Sequence, residues 1–462
     1  MSIPGFSTDY ETGYEANQPY NERGMKSFYI ETFGCQMNVH DSEKVIGTLM
    51  ERGYNQVAVA DNADLVLFNT CSIRDKAEQK VFNRLQHHKK GGAKQVVGLL
   101  GCVAQQEGEK VFERAPHVSL VVGSASYTKL PELLLRIEQG ERRVTGLSLD
   151  TDETFDTPLT RRDNPFRAFL TIIEGCDKSC AYCVVPFTRG PERSRTLASV
   201  LDEVKKLVDT GYTEVTLLGQ NVNSYQDPSP GGANFAQLLA AVGQVPGMRR
   251  VRFTTSHPRD FTKEIIDAID AVPALCNHVH LPVQSGSTRI LEAMQRQYSI
   301  DQYMQRIAWM KNARRKIAIT TDLIVGFPGE TETEFQETLG LMDTVGYDGI
   351  FSFKYSPRPN TSAQHMVDAV PEDEKGRRLM RLVEHQRTIL IRNNAAYVGS
   401  VEEVHVEHFN IATGQWVGKS TQHKTVNFTH SEGQPARLEG TYLDVLVTRS
   451  GVASLVGEAV AA

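Results

Sequence analysis

A unit written three times near the start of the chain constrains its fold more than any other feature: a short apolar run, a cysteine, then a helical pattern. Phe28 to Gly34 ends at Cys35, with a helix expected from about Asp41 to Arg52. Leu65 to Thr70 ends at Cys71, with a helix from about Arg74 to Lys89, and Val96 to Gly101 ends at Cys102, with one from about Ala104 to Ala115. Apolar strands that each feed a helix suggest a parallel sheet buried on both faces. Ligands of such sheets gather beyond the carboxyl ends of the strands. Each cysteine stands there, just before a helix start, where a thiolate or a negatively charged cluster is stabilised. Three buried apolar cysteines are the plain alternative, because cysteine is most often that. The equivalence of the three places favours a three-cysteine metal site.

A second triad is compressed into one loop, Cys176, Cys180 and Cys183, at spacings of four and three. A disulfide leaves one of the three over. A closed structural zinc wants four protein ligands, yet the one cysteine that follows is Cys276, and the loop holds no histidine. Three thiolates this close can hold three irons of a cubane cluster and leave the fourth open; zinc remains the rival. Cys276, at the entry to a later strand, is expected to be a buried structural thiol. Seven cysteines is an odd number, and six fall in loop-like glycine or polar settings, which argues for a reducing compartment and metal binding, not a disulfide scaffold. No apolar run approaches the roughly twenty residues of a membrane span. Residues 1–24 are polar, without the apolar core of a secretion signal, and read as a disordered leader. The expected location is cytoplasmic.

After a polar, strand-poor linker from about Gly140 to Pro165, strands alternate with helices. Candidate strands are Ala168–Ile173, Glu214–Leu218, Arg250–Thr254, His278–Leu281, Ala318–Ile324 and Gly349–Phe353, with helices such as Val200–Thr210 and Glu332–Val345 between them. They suggest an open, parallel (β/α)6 barrel, with its chemistry in the loops at the strand carboxyl ends. The second cysteine loop follows the first of these strands. Polar loops follow the others: Gly219-Gln220-Asn221, Thr254 to Pro258, Pro282 to Ser287, and Gly326 to Glu330, the last running into a capping box of Thr331 and Glu334. His257, His278 and His280 are expected to satisfy hydrogen bonds at strand ends. Beyond Gly399, short alternating strands (Val401–Glu407, Gln415–Gly418, Val426–Phe428, Tyr442–Val447) read as a small all-β barrel. A net charge of −6 does not advertise nucleic-acid binding. Arg161 to Arg195 nevertheless carries seven basic and four acidic residues, so an anionic substrate could be drawn to the cysteine loop unless these are simply solvated charges. Arg189, with Arg193 and Arg195, has the fork for phosphate or carboxylate.

The Cys-x3-Cys-x2-Cys loop, with Tyr182 before its last cysteine, resembles the radical S-adenosylmethionine (SAM) enzymes. Thr32 to Asn38 with Asp41-Ser42-Glu43, Asn69 to Arg74 with Ala77 to Lys80, and Gly101 to Gln105 are similar to the methylthiotransferases of that superfamily. The resemblance runs from about Ser27 to Gly457, and the residues beside the first two cysteines are most similar to the branch acting on N6-isopentenyl-adenosine in tRNA. It implies an N-terminal parallel α/β domain (25–145), a central open (β/α)6 radical SAM barrel (162–395) and a C-terminal TRAM-like β-barrel (398–460) that binds substrate. It implies two [4Fe-4S] clusters: one on Cys176, Cys180 and Cys183, which binds and cleaves SAM, and one on Cys35, Cys71 and Cys102, which carries the sulfur. The implied reaction is methylthiolation at C2 of N6-isopentenyl-adenosine beside a tRNA anticodon. The same chemistry on threonylcarbamoyl-adenosine or a ribosomal protein, and a non-catalytic metal-stabilised RNA-binding protein, are the alternatives. Gly219, Gln220 and Asn221 resemble the segment whose backbone holds SAM's amino group. Tyr182 is the candidate for packing on the adenine, with core packing as the alternative. No catalytic side chain is assigned. The implied partners are tRNA and an external electron donor, with no membrane and a monomeric chain. Trp416, Phe428 and Lys424 are the expected stacking and phosphate contacts of the last domain.

Overall fold

A computed structural model describes residues 26–72, 75–88, 95–149, 160–367, 369–430 and 437–460. The expected leader and the middle of the expected linker lie outside these residues. Strands β1 (Ser27–Phe33), β2 (Asn55–Gln56), β3 (Leu65–Thr70), β4 (Val96–Gly101), β5 (Leu120–Val122) and β6 (Val144–Gly146) form one sheet in the order β2-β1-β3-β4-β5-β6, every pair parallel. Alternation along β3 explains the layering. Val66 and Phe68 join one core with Val81, Leu85 and Phe112, while Leu65 and Leu67 join another with Val45, Leu49 and Leu134 on the opposite face. The sheet is wider than the repeat suggests. The three-residue strands β5 and β6 lie outside it, and β6 falls inside the expected linker, because so short an edge strand carries too few residues to show a pattern. The first helix also starts earlier than expected, at Gln36, with Cys35 in its N-cap position.

Strands β7 (Arg167–Thr171), β10 (Glu214–Leu218) and β11 (Arg250–Phe253) pair in parallel, as do β12 (His278–His280), β13 (Ala318–Val325) and β14 (Gly349–Lys354). The segment 274–276 continues the arc: Val251 N–H donates to Ala274 O at 2.8 Å and Cys276 N–H to Val251 O at 3.0 Å. Six parallel strands with helices between them make the open barrel. Its first expected strand is interrupted. Ile173–Glu174 (β8) leaves the arc to pair antiparallel with Arg193–Ser194 (β9), which closes the base of the cysteine loop. The capping box of Thr331 and Glu334 is present.

The C-terminal barrel is closed by five strands, β15 (Val401–Asn410), β16 (Gln415–Ser420), β17 (Thr425–Thr429), β18 (Tyr442–Ser450) and β19 (Leu455–Ala459), in the order β15-β16-β17-β19-β18. The fifth strand is additional to the sequence reading. Trp416, Phe428 and Lys424 are buried, which corrects the expectation that they face RNA. Trp416 and Phe428 pair across β16 and β17 into the barrel core, and Lys424 bonds Asp348 at 2.8 Å and Asn394 at 3.0 Å. This barrel docks on the strand starts of the central one. Arg250 donates to the carbonyls of Lys419 (2.6 Å) and Glu403 (2.7 Å), and Arg252 to Glu214 (3.0 Å) and the carbonyl of Ser420 (2.9 Å). Among the described helices none is long and apolar enough to cross a membrane.

Candidate functional site

Register brings the first triad together. Phe33, Thr70 and Gly101 lie abreast on β1, β3 and β4, so Cys35, Cys71 and Cys102 leave the same edge of the sheet within a residue or two of one another. Two glycines make the exits. Gly34 (φ +134°) and Gly101 (φ +91°) hold backbone that L-residues rarely adopt. A Cβ on Gly34 would overlap the Cys71 Cβ, and one on Gly101 would overlap the Asn69 side chain. Cys71 and Cys102 are buried and Cys35 half-buried. A hydrogen bond from Cys71 is the largest influence on the Cys35 thiol, which is lowered to about 6, with the Arg189 charge and the backbone at Asn38 and Met37 helping and burial opposing. Burial raises Cys102, and Arg189 only partly offsets it.

The second triad occupies the loop between β8 and β9. Gly175 (φ +81°) turns the chain where a side chain would strike the Pro191 carbonyl. Cys176 N–H donates to Gly190 O at 3.1 Å and Cys183 N–H to Cys180 O at 3.0 Å, which fixes the loop on itself. Burial pushes Cys176 to about 11 and Cys183 to about 12, with the neighbouring cysteines adding to the rise. Binding a cation would reverse that order, because coordination deprotonates a thiol. Sequence reasoning missed Arg296. Its Nη1 donates to Cys180 Sγ at 3.3 Å, its Nη2 to the Pro282 carbonyl at 3.0 Å and its Nε to the Tyr298 hydroxyl at 3.1 Å. The flanking Gln295 (φ 56°) and Gln297 (φ 60°) are left-handed, as are Thr255 (φ 66°) and Gln284 (φ 75°) in loops beyond β11 and β12. Strained backbone of this kind gathers at functional sites.

The sequence-derived cofactor residues also reach this mouth. Gln220 Oε1 accepts from Gly175 N–H at 2.6 Å, tying its loop to the start of the cysteine loop. A side chain on Gly219 would strike Ile173, so the backbone comes close there. Asn221 donates to Asp260 at 2.7 Å, while its buried Oδ1 has no hydrogen-bond partner among the described residues. Asp260 also bonds Lys178 at 2.8 Å. Tyr182 is half-buried and packs on a small cluster containing Ile290, Met294 and Phe327, so one side serves the core. His278 and His280 both bond Thr320, and His257 accepts from Arg259 N–H. Cys276 lies buried in the arc.

The elements that carry the two triads pack together at a domain boundary. The helix Val185–Arg189, directly after Cys183, packs against the helix Cys102–Glu107 that Cys102 begins. Ser124 Oγ donates to the Thr188 carbonyl at 2.8 Å, and Thr171 Oγ1 to Met37 Sδ at 3.8 Å. Arg189 bonds Asp41 at 2.6 Å, and Glu174 lies 3.9 Å from Lys44 and 3.4 Å from Arg193. These pairs correct the reading of the basic segment as a patch open to an anion. Arg162 and Arg195 both bond Glu203, Arg167 bonds Glu407, and Lys178 bonds Asp260.

A three-cysteine set fits a cubane better than a lone ion. Among the described residues no group of three Cys, His, Asp or Glu side chains is placed to hold a single metal ion. A cubane takes each thiolate on a different iron, so its ligands need not converge on one point. The soft donor set, the Arg296 N–H on Cys180 and the unpaired Asn221 oxygen beside the second triad fit such a cluster with a polar cofactor next to it.

Residues 27–123 match the Uncharacterized protein family UPF0004, and residues 170–342 the Radical SAM superfamily. A Solibacter usitatus protein described as tRNA-2-methylthio-N(6)-dimethylallyladenosine synthase is 66% identical over 437 residues, 94% of this chain and 98% of the relative. Proteins of the same description from Koribacter versatilis and Aquifex aeolicus are 60% and 43% identical, each over 94% of this chain and 98% of their own. Among solved structures, the radical SAM methyltransferase TsrM from Kitasatospora setae, with cobalamin and a [4Fe-4S] cluster bound, superposes with a TM-score of 0.55 at 14% identity, over 74% of this chain and 77% of its own. That likeness is one of fold.

Proposed function

Because the chain belongs to the tRNA-2-methylthio-N(6)-dimethylallyladenosine synthase family of radical SAM enzymes, we propose that its two cysteine triads divide the chemistry of that family between them. The protein is a tRNA methylthiotransferase that uses SAM and [4Fe-4S] clusters. In this reading Cys176, Cys180 and Cys183 hold the cluster that engages SAM, and Cys35, Cys71 and Cys102 hold the one that carries sulfur. Bound together, these groups supply a radical able to break an unactivated aromatic C–H bond and the methylthio group that replaces the hydrogen.

The chain's own residues orient and shield. Gln220 holds the Gly175 backbone, so the cysteine loop is fixed before the cofactor arrives. Arg296 places a buried cation beside Cys180, the right charge for a carboxylate bound next to that cysteine. Gly219 and Asn221 offer close backbone and a free oxygen for an amino group, and Tyr182 offers a ring face for adenine. The target adenosine turns out of its stack to enter the mouth between the triads. The domains follow 25–145, 162–395 and 398–460, with β6 belonging to the first. The enzyme works as a cytoplasmic monomer supplied by an external electron donor.

The packing of the elements that bear two free-cysteine triads at one domain boundary carries this reading. Anaerobic reconstitution with iron and sulfide tests it. Roughly eight irons per chain are expected, two cubanes, falling by about half when either triad is replaced by alanines. SAM cleavage by dithionite-reduced protein should vanish when the Cys176 triad is replaced and persist when the Cys35 triad is. Full iron content without Cys35, Cys71 and Cys102 would overturn the assignment.

A further inference from the structure

Arg189 stands on the loop of one triad and spends its charge at the other. It is 4% exposed, and its Nη2 donates at 2.6 Å to Asp41, which is 1% exposed. Asp41 belongs to the helix that Cys35 caps. The bond from Ser124 to the neighbouring Thr188 carbonyl fixes the short helix, so the guanidinium is held from both sides. Its Nη1 is buried and makes no hydrogen bond of standard geometry among the described residues, while the guanidinium as a whole acts on the Cys102 thiol both as a charge and as a hydrogen-bond donor. Cys102, Tyr127 and Glu174 are the other groups acting on it.

A buried ion pair gains little over apolar packing, and a buried donor left unpaired is costly. Both features make sense if an anion completes the set. Nη2 is held by Asp41, and the same cation acts on Cys35 and Cys102 together. We propose that Arg189 is a positioning residue of the Cys35/Cys71/Cys102 centre: its Nη1 donates to a thiolate or sulfur anion held there, and its fixed charge raises the centre's reduction potential. The inference rests on the two-cluster reading. Hydrogen bonds to cluster sulfurs and nearby charge are established levers on such potentials.

The test uses full-length protein in which Cys176, Cys180 and Cys183 are alanine, so the first centre alone is read. Arg189→Lys, Asp41→Asn and the double variant Arg189→Met/Asp41→Asn are compared by iron content, circular dichroism and the midpoint potential from an EPR-monitored titration. The double variant leaves no buried charge without its partner. Asp41→Asn should raise the potential. The double variant should fall below it by at least tenfold in the reduction equilibrium, about 59 mV for one electron, with Arg189→Lys recovering part of the parent value. Equal potentials in all three, with iron retained, would reduce Arg189 to an interface ion pair. Equal iron loss in Arg189→Lys and the double variant would likewise overturn the proposal, since charge would then be irrelevant. A parent protein that binds no cluster on the first triad would sink the two-cluster reading instead.

Discussion

Replacing Gly34 by alanine should remove one cluster and leave the other. Gly34 sits at φ +134°, and its added Cβ would overlap the Cys71 Cβ while lying 3.0 Å from Asn38 Oδ1 and 3.3 Å from Cys71 N. Relaxed carbon contacts lie at about 3.5–4.0 Å, so the two cysteine-bearing turns must part by about 1 Å or more. Metal sites tolerate deviations of only about 0.2 Å in ligand distance. The energetic cost combines roughly 1–2 kcal/mol for an L-residue in unfavourable backbone with about 1–3 kcal/mol for overpacking. A domain with two apolar cores can carry that; the ligand geometry cannot. Gly211→Ala is the control, with φ +96° but nothing within 4 Å of an added Cβ, so it meets strain without collision. After anaerobic reconstitution, Gly34→Ala should hold about half the parent's iron and still cleave SAM, while Gly211→Ala holds it all. Full iron in Gly34→Ala would refute the view that this glycine sets the spacing of the first triad.

Three further outcomes follow from the packing. Against burial, Arg252 and His405 hold Glu214 well below the usual carboxylate range, so Arg252→Met, which removes the guanidinium and leaves the buried carboxylate only His405, should cost about 3–5 kcal/mol in denaturant unfolding; less than about 1 kcal/mol would contradict the docking described. Phe428→Ala should cost about 3–5 kcal/mol and leave the tRNA affinity of the folded protein unchanged; a selective loss of RNA binding would restore the stacking role that its burial argues against. Glu43, lifted to about 8 chiefly by burial, binds a proton in the fold that the unfolded chain has released, so its contribution to stability declines as pH rises from the ordinary carboxylate range through about 8. Glu43→Gln should therefore show a shallower decline in melting temperature over that window, and parallel curves would disprove it.

The cysteines were legible because each stands at a strand end, and strand ends are visible in a local pattern. The registers that align Phe33, Thr70 and Gly101 are implied by the repeat. The surroundings were not legible. Arg189 finds Asp41, and Arg296 finds Cys180, across more than a hundred residues of chain, and nothing beside either arginine announces its partner. The basic segment read as a surface because most of its acids are supplied from elsewhere: Glu407 from the last domain, Asp41 from the first, and Glu203 and Asp260 from later in the central barrel. Trp416 and Phe428 misled for a similar reason, since an aromatic in a small barrel satisfies core packing as readily as stacking.

The attachment of the last domain has a bearing on how its role is to be measured. Arg250, Arg252 and Glu214 are charged side chains covered by β15 and the end of β16. Cutting the chain before Val401 would leave Arg250 without its partners and take the Ser420 carbonyl and His405 from the Arg252–Glu214 pair. Such a truncation would lose activity whether or not the missing domain ever touched RNA. Single substitutions on the outward face of β18, where Asp444, Leu446 and Thr448 alternate with the buried Val445 and Val447, ask the question without lifting the lid off the ion cluster beneath.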